Sequence, residues 1–172
     1  MDHRISEYEA LRETIRQRGT VRMMLVPVIF IGWAATAVAT AAVITVAVST
    51  LVPLLVLVAG FEAIFALHIN VERIGRYLQV FHEQDGGWEN VAMAFGKRFP
   101  GTGPDPLFAQ TFVFAISVNF LPVALGFEHP IELVLLLVPH LLAVYRIRMA
   151  RGTAAKQRGE DLERFRSLRD TH

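Results

Sequence analysis

Residues 54–83, LLVLVAGFEAIFALHINVERIGRYLQVFHE, join a long apolar run to a dense polar one. The apolar half is typical of a membrane-spanning helix, and a single carboxylate, Glu62, stands inside it. The polar half carries charged, amide and aromatic side chains in close succession: His68, Asn70, Glu72, Arg73, Arg76, Tyr77 and Gln79. We therefore expect one helix that leaves the hydrocarbon near Val71 and continues in water to about Glu83.

The composition indicates a membrane protein. Of the 172 residues 53% are hydrophobic, and residues 23–61 contain no Asp, Glu, Lys, Arg or His. One span needs about 20 apolar residues, so this run is long enough to cross a bilayer twice. The net charge of +1 gives no indication of a nucleic-acid partner. The absence of cysteine excludes disulfides, thiol catalysis and cysteine-ligated metals.

Four apolar runs predict four transmembrane helices. The fold class expected is an all-α integral membrane protein, a four-transmembrane-helix bundle with cytosolic amphipathic helices. The spans cover residues 21–47, 51–71, 107–125 and 131–148. Together with their connections they form a membrane domain over residues 1–150.

The segments outside the spans are predicted to be cytosolic. Ser6 and Glu9 form a capping box for a short helix over residues 5–19 that ends at Gly19. Residues 72–106 form a loop between the second and third spans. Residues 151–172 form a charged tail with weak amphipathic character.

The basic residues are distributed asymmetrically. Five precede the first span, four lie between the second and third spans, eight occur from Arg146 onward, and the other two turns hold none. Because basic residues near span ends stay on the cytoplasmic side, both termini and the middle loop are predicted to be cytoplasmic. The expected location is the inner (plasma) membrane of a bacterial-type cell.

Three polar side chains on three spans fall near the middle of the predicted membrane: Glu62, Asn119 and His140. At 1.5 Å per residue, Glu62 and His140 lie roughly 12–13 Å from the cytoplasmic face, and Asn119 roughly 18 Å. Ionisable groups at this depth indicate a functional site, here a proton relay or a cation site. The same residues also suit a purely structural network of interhelical hydrogen bonds, which is the favoured interpretation.

A second polar group, His68, Glu72, Arg73 and Arg76, lies where the second span reaches the cytoplasmic rim. It is typical of a gate or a lipid-headgroup site. It is equally typical of arginines that anchor a helix end at the level of the phosphates, and this interpretation is favoured. His68 and Glu72 have a spacing compatible with a metal, but two ligands do not make a site. Neither a metal nor any other cofactor is predicted.

Residues 88–99, WENVAMAFGKRF, predict an amphipathic helix between the second and third spans. Trp88, Phe95 and Phe99 share one face, and the basic residues lie largely elsewhere. This pattern is typical of an interfacial helix that lies on a membrane surface. The stretch PGTGPDP at 100–106 predicts a stiff, irregular linker.

Two functions fit these observations. The first is a small oligomeric channel or transporter subunit that handles protons or cations through Glu62 and His140. The alternative is a non-catalytic membrane scaffold or accessory subunit that binds a larger partner through its cytosolic loop and tail. No residues are predicted to be catalytic, so a membrane enzyme comes third. The expected partners are the lipid bilayer, further copies of the chain in a homo-oligomer and a protein at the cytosolic face.

Overall fold

The computed structural model describes residues 2–43, 46–83, 86–99, 101 and 105–171. The elements in chain order are α1 (Asp2–Val43), a 3-10 turn (Ala47–Thr50), α2 (Leu51–Phe81), α3 (Trp88–Arg98), α4 (Ala109–Gly126) and α5 (Pro130–Asp170). No strand occurs within the described ranges, so the predicted all-α fold is confirmed. Among the described residues, four helical segments, in α1, α2, α4 and α5, are long and apolar enough to cross a membrane.

The first and last helices are longer than predicted. α1 passes through Gly19 without interruption, so the predicted helix end there is wrong. A glycine inside a helix costs only about 1 kcal/mol, less than the backbone hydrogen bonds that two new helix ends would leave open. α5 likewise continues from the predicted fourth span through the tail to Asp170.

The connections agree with the predictions where they are described. α2 ends at Phe81, close to the predicted Glu83, and α3 begins at Trp88 as expected. The sequence QDGG at 84–87 predicts a helix break between α2 and α3, and its described half, Gly86 and Gly87, is not helical. The other half of this break and most of the linker at 100–106 lie outside the described residues.

The chain divides into two compact units. One consists of Met1–Arg22, Ala66–Pro106 and Gly152–His172, and the other of Met23–Phe65 and Leu107–Arg151. We call the first the polar unit, because interhelical ion pairs connect its helices. We call the second the apolar unit, because its core and most of its surface are hydrocarbon.

The apolar unit packs around two phenylalanines. Phe61 of α2 and Phe112 of α4 are almost completely buried, with ring centroids 5.4 Å apart in an edge-to-face arrangement. Apolar side chains also cover its outer surface, including Ile31, Phe114 and Leu125. An apolar exterior around an apolar core is the arrangement that a bilayer requires, since lipid replaces water as the solvent.

Helices α1 and α2 approach each other closely at Gly60. A Cβ atom added to Gly60 would lie 2.5 Å from Cγ2 of Ile29. Ile29 is β-branched and buried, so its side chain cannot rotate away without losing its own packing. Glycine at this position therefore sets the distance between the two helices.

Candidate functional site

Glu62 forms an ion pair with Arg146 in the apolar unit. The Glu62 Oε2 atom accepts a hydrogen bond from Arg146 Nη2 at 2.8 Å. The Arg146 guanidinium carbon also lies 4.6 Å from the centroid of the Phe65 ring, a cation–π distance. Both charged side chains are partly exposed, Glu62 to 42% and Arg146 to 38%. The pair therefore lies at the surface of the apolar unit.

Asn119 connects three other segments of the same unit. Its Nδ2 atom lies 2.9 Å from the carbonyl oxygen of Thr50 and 3.0 Å from Nε2 of His140. Its Oδ1 atom accepts a hydrogen bond from Trp33 Nε1 at 3.1 Å. Asn119 is 5% exposed, and these three bonds use both of its amide hydrogens and one oxygen lone pair.

The contacts of His140 indicate which ring nitrogen carries the proton. Nδ1 lies 2.7 Å from the carbonyl oxygen of Leu136, which only accepts hydrogen bonds. Nδ1 must therefore donate, and Nε2 of a neutral ring then accepts from the Asn119 amide. The neutral imidazole satisfies both neighbours.

The structure thus divides the three residues predicted at mid-membrane. Asn119 and His140 are hydrogen-bonded to each other, as expected of interhelical contacts. Glu62 pairs with Arg146, which follows His140 by six residues, about 9 Å along α5. Arg146 lies two residues before the predicted end of the fourth span at Arg148, so Glu62 pairs with the basic end of that span.

The residues predicted at the cytoplasmic rim each find a partner within the polar unit. Arg22 Nη1 lies 3.3 Å from His68 Nδ1. Glu72 accepts a hydrogen bond from Arg158. Arg73 donates to Asp161 at 3.0 Å, and Arg76 pairs with Glu89, also at 3.0 Å. Glu72 and Arg76, although four residues apart on one helix, thus pair with other helices.

A buried charge cluster connects α1, α2 and α3. Glu89 accepts hydrogen bonds from Arg12 at 2.7 Å and from Arg76 at 3.0 Å, one at each carboxylate oxygen. Arg12 also donates to Glu83 at 2.7 Å, and Glu83 in turn accepts from the backbone N–H of Glu89. Arg76 is 5% exposed and Glu89 is 9% exposed. We call these four residues, Arg12, Arg76, Glu83 and Glu89, the charge cluster.

Tyr77 provides a second connection between α1 and α2. Its hydroxyl donates a hydrogen bond to Glu7 at 2.8 Å, and its ring lies 4.9 Å from the ring of Phe81. Burial, reinforced by this hydrogen bond to a carboxylate, raises the pKa of Tyr77 above its ordinary value.

Helix α3 is amphipathic, and the polar residues of its first turn face the other helices of the polar unit. Glu89 and Asn90 face α2, where Asn90 accepts a hydrogen bond from Gln79 at 2.7 Å. The opposite face exposes Trp88 to 70%, Val91 to 52% and Phe95 to 55%. We call Trp88, Val91 and Phe95 the apolar row. Phe99, which is also exposed, packs against Phe95 with tilted rings whose centroids are 5.0 Å apart.

Two cavities adjoin these groups. A cavity of about 550 Å³ in the polar unit is lined by the aromatic rings of Tyr8, Phe81, His82 and Trp88, with Arg4 and Glu83. A cavity of about 340 Å³ in the apolar unit is lined mainly by small and apolar residues, with Asn119 and Trp33 in its wall. Within the described ranges, no group of three or more His, Asp or Glu residues is placed to hold a metal ion.

Comparison with known proteins identified no matching family model, no similar curated protein and no similar solved structure.

Sequence reasoning missed several residues that hold these groups together. Arg12, Glu83 and Glu89 belong to the charge cluster, yet Arg12 and Glu89 are 77 positions apart in the chain. The hydrogen bond that Trp33 donates to Asn119 is not predicted by any local pattern. Arg146 was counted only as a basic residue for topology. Gly75 and Gly87 are local signals, since Glu89 packs where a Cβ at Gly75 would be and Glu83 packs where a Cβ at Gly87 would be.

Proposed function

We propose that this chain is a non-catalytic, multi-pass membrane scaffold or accessory subunit that presents its polar unit to a protein partner. The observation that carries the proposal is the orientation of α3. Its polar residues Glu89 and Asn90 bond to side chains of α1 and α2, and its apolar row is exposed. Exposed, contiguous apolar side chains on an otherwise charged unit are typical of an interaction surface.

The ionisable residues support the same proposal. Within the polar unit, Arg73, Arg76 and Arg158 each bond to a carboxylate on another helix. Such pairs hold the helices in one arrangement, which suits a scaffold whose binding surface must stay rigid. The distribution of basic residues further supports a polar unit in the cytosol and an apolar unit in the inner membrane.

The experiment is a purification from native membranes after mild chemical crosslinking, through an affinity tag at the C-terminus. We expect the chain to be recovered in a defined complex with another protein at near-stoichiometric amount. Recovery of this chain by itself, with no crosslinked partner, would contradict the scaffold function. As a control, the purified tagged chain is reconstituted in lipid and then mixed with the same lysate. This control identifies proteins that attach to the chain only after the cells are broken.

A second candidate function, proton or cation transport by an oligomer, is favoured by one observation. The Glu62–Arg146 pair is partly exposed at a surface that is otherwise apolar. Charged groups exposed to hydrocarbon are costly, so a second copy of the chain or a file of water would be needed to cover them. In that case proteoliposomes would show a proton or cation flux that Glu62→Gln abolishes.

Flux measurements separate the two functions. The scaffold proposal predicts no flux above that of protein-free liposomes, for the parent chain and for Glu62→Gln alike. A flux in the parent that disappears in Glu62→Gln, while the variant keeps its thermal stability, would replace the scaffold proposal with the transport function.

A further inference from the structure

We infer that the apolar row of α3 and the adjoining aromatic cavity bind an amphipathic helix of a partner protein, with acidic residues flanking its apolar face. This inference rests on the proposed scaffold function and specifies the surface and the partner's chemistry. Its starting point is the position of Trp88, which belongs both to the apolar row and to the wall of the 550 Å³ cavity.

The shape and chemistry of the surface suit an amphipathic helix. Trp88, Val91 and Phe95 follow one another along two turns of α3, about 10 Å. The cavity next to Trp88 is lined by Tyr8 and Phe81, and so it offers an aromatic-walled recess at one end of the row. An amphipathic helix binds such a surface through apolar anchors at helical spacing, one of which fills the recess.

Basic side chains flank the surface. Arg4 is exposed and lines the cavity at one end of the apolar row. Lys97 and Arg98 are exposed at the other end, in the last turn of α3. Basic side chains at both ends favour a partner with carboxylates at both ends of its apolar face.

The direction of α3 along α2 disfavours lipid as the occupant of this surface. The pairs Gln79–Asn90 and Arg76–Met93 show that α3 folds back along α2 in the opposite direction. Trp88 lies beside Phe81, ten residues or about 15 Å along α2 from the predicted span end at Val71. An interfacial helix buries its apolar face only about 5–10 Å into the membrane boundary. A helix that runs along α2 cannot place its whole apolar row at that depth, so protein fits this surface better than lipid.

The test uses the full chain in nanodiscs of zwitterionic phosphatidylcholine and a fluorescent helical peptide of about 14 residues, four turns. The peptide carries Leu and Trp on one face and Glu in its first and last turns. A second peptide has Lys in place of every Glu. Fluorescence anisotropy measures binding of each peptide.

We expect the acidic peptide to bind at least tenfold more tightly than the basic one, and its affinity to fall with rising salt. Trp88→Ala with Phe95→Ala should weaken binding at least tenfold, since aromatic anchors dominate such contacts. Leu168→Ala is the matched control, because Leu168 is similarly exposed on α5 of the same unit, and it should bind like the parent. Equal affinity for the two peptides, or no effect of the Trp88/Phe95 change, would overturn the inference.

The other occupants are separate outcomes. If the parent chain's fluorescence is quenched by brominated lipid more than that of Trp88→Phe, lipid covers Trp88 and the inference fails. If the purified chain is a dimer that Trp88→Ala dissociates, a second copy is the occupant and the inference fails.

The crosslinking purification distinguishes these failures from failure of the proposed function. A partner recovered equally with the parent and with the Trp88/Phe95 variant leaves the scaffold function intact and refutes this surface. Absence of any partner with the parent chain refutes the function itself.

Discussion

Replacing Glu89 by Gln should release α3 from the rest of the polar unit. Each Glu89 oxygen accepts a hydrogen bond from a different arginine, Arg12 or Arg76. The change to Gln turns one acceptor into an N–H donor that faces an arginine donor, and it removes the negative charge. Arg12 keeps Glu83 as a partner. Arg76 is 5% exposed and is left without a carboxylate partner.

The magnitude follows from the burial of Arg76. Removing one partner of a buried ion pair costs about 3–5 kcal/mol, because the other charge stays uncompensated. We expect the lower end of this range, about 3 kcal/mol, because Gln retains one acceptor. Arg76 Nη1 keeps its hydrogen bonds to Gln79 and Met93, but both of these acceptors are neutral and do not balance the charge.

Hydrogen exchange measured by mass spectrometry is the assay. A loss of about 3 kcal/mol in the free energy of opening corresponds to amide exchange in α3 that is about 150-fold faster. Glu13→Gln is the matched control, because Glu13 also accepts hydrogen bonds from an arginine, Arg16, but at the surface. It should leave exchange in every helix unchanged, since exposed ion pairs contribute little.

Two results would refute this reasoning. Unchanged exchange of α3 in Glu89→Gln would show that the charge cluster does not hold the helix. A double change, Arg76→Met with Glu89→Met, removes both charges and should restore slow exchange, since apolar side chains can replace a buried pair. If the double variant exchanges as fast as Glu89→Gln, the uncompensated charge of Arg76 is not the cause.

Three further predictions concern other contacts. Gly60→Ala should lower the stability of the apolar unit by about 1–3 kcal/mol, through the clash with Ile29, and an unchanged melting temperature in nanodiscs would contradict the close approach. Asn119→Ala should cost about 1–3 kcal/mol and shift the fluorescence of the tryptophan bonded to it, and an unchanged spectrum would contradict the hydrogen bond. Folding raises the pKa of Tyr77, so its contribution to stability is complete below its unfolded pKa of about 10 and is lost as pH rises further. Tyr77→Phe should therefore make the melting temperature less dependent on pH above 10, and identical pH profiles would contradict this.

The fold class followed from hydrophobic pattern alone. A helix needs about 20 apolar residues to span a bilayer. The uninterrupted charge-free run and the two further apolar segments meet this requirement, so the spans can be predicted without tertiary information. Helix ends were harder to predict. Gly19 looked like a stop signal, but the helix on either side of it continues, and its backbone hydrogen bonds outweigh the cost of one glycine.

The pairing of charged groups was the least predictable feature. Glu72 and Arg76 have favourable spacing on one helix, yet Glu72 pairs with Arg158 and Arg76 with Glu89. The choice of partner depends on how segments distant in the chain pack together, and no local sequence pattern predicts that packing. The amphipathic character of α3 was visible in the sequence. The inward direction of its polar face was not, because that depends on Arg12 and Arg76 being opposite Glu89.

Cysteine labelling of Val91 tests the central claim, that a protein partner covers the apolar row in the native membrane. The chain contains no cysteine, so Val91→Cys provides a single reactive site. Leu168→Cys, with nearly equal exposure, provides the control. We predict that a water-soluble maleimide labels both variants rapidly when the purified chain is in nanodiscs. In inverted native membranes, the same reagent should label Val91→Cys at least tenfold more slowly than Leu168→Cys. Equal labelling of both variants in native membranes would contradict the account.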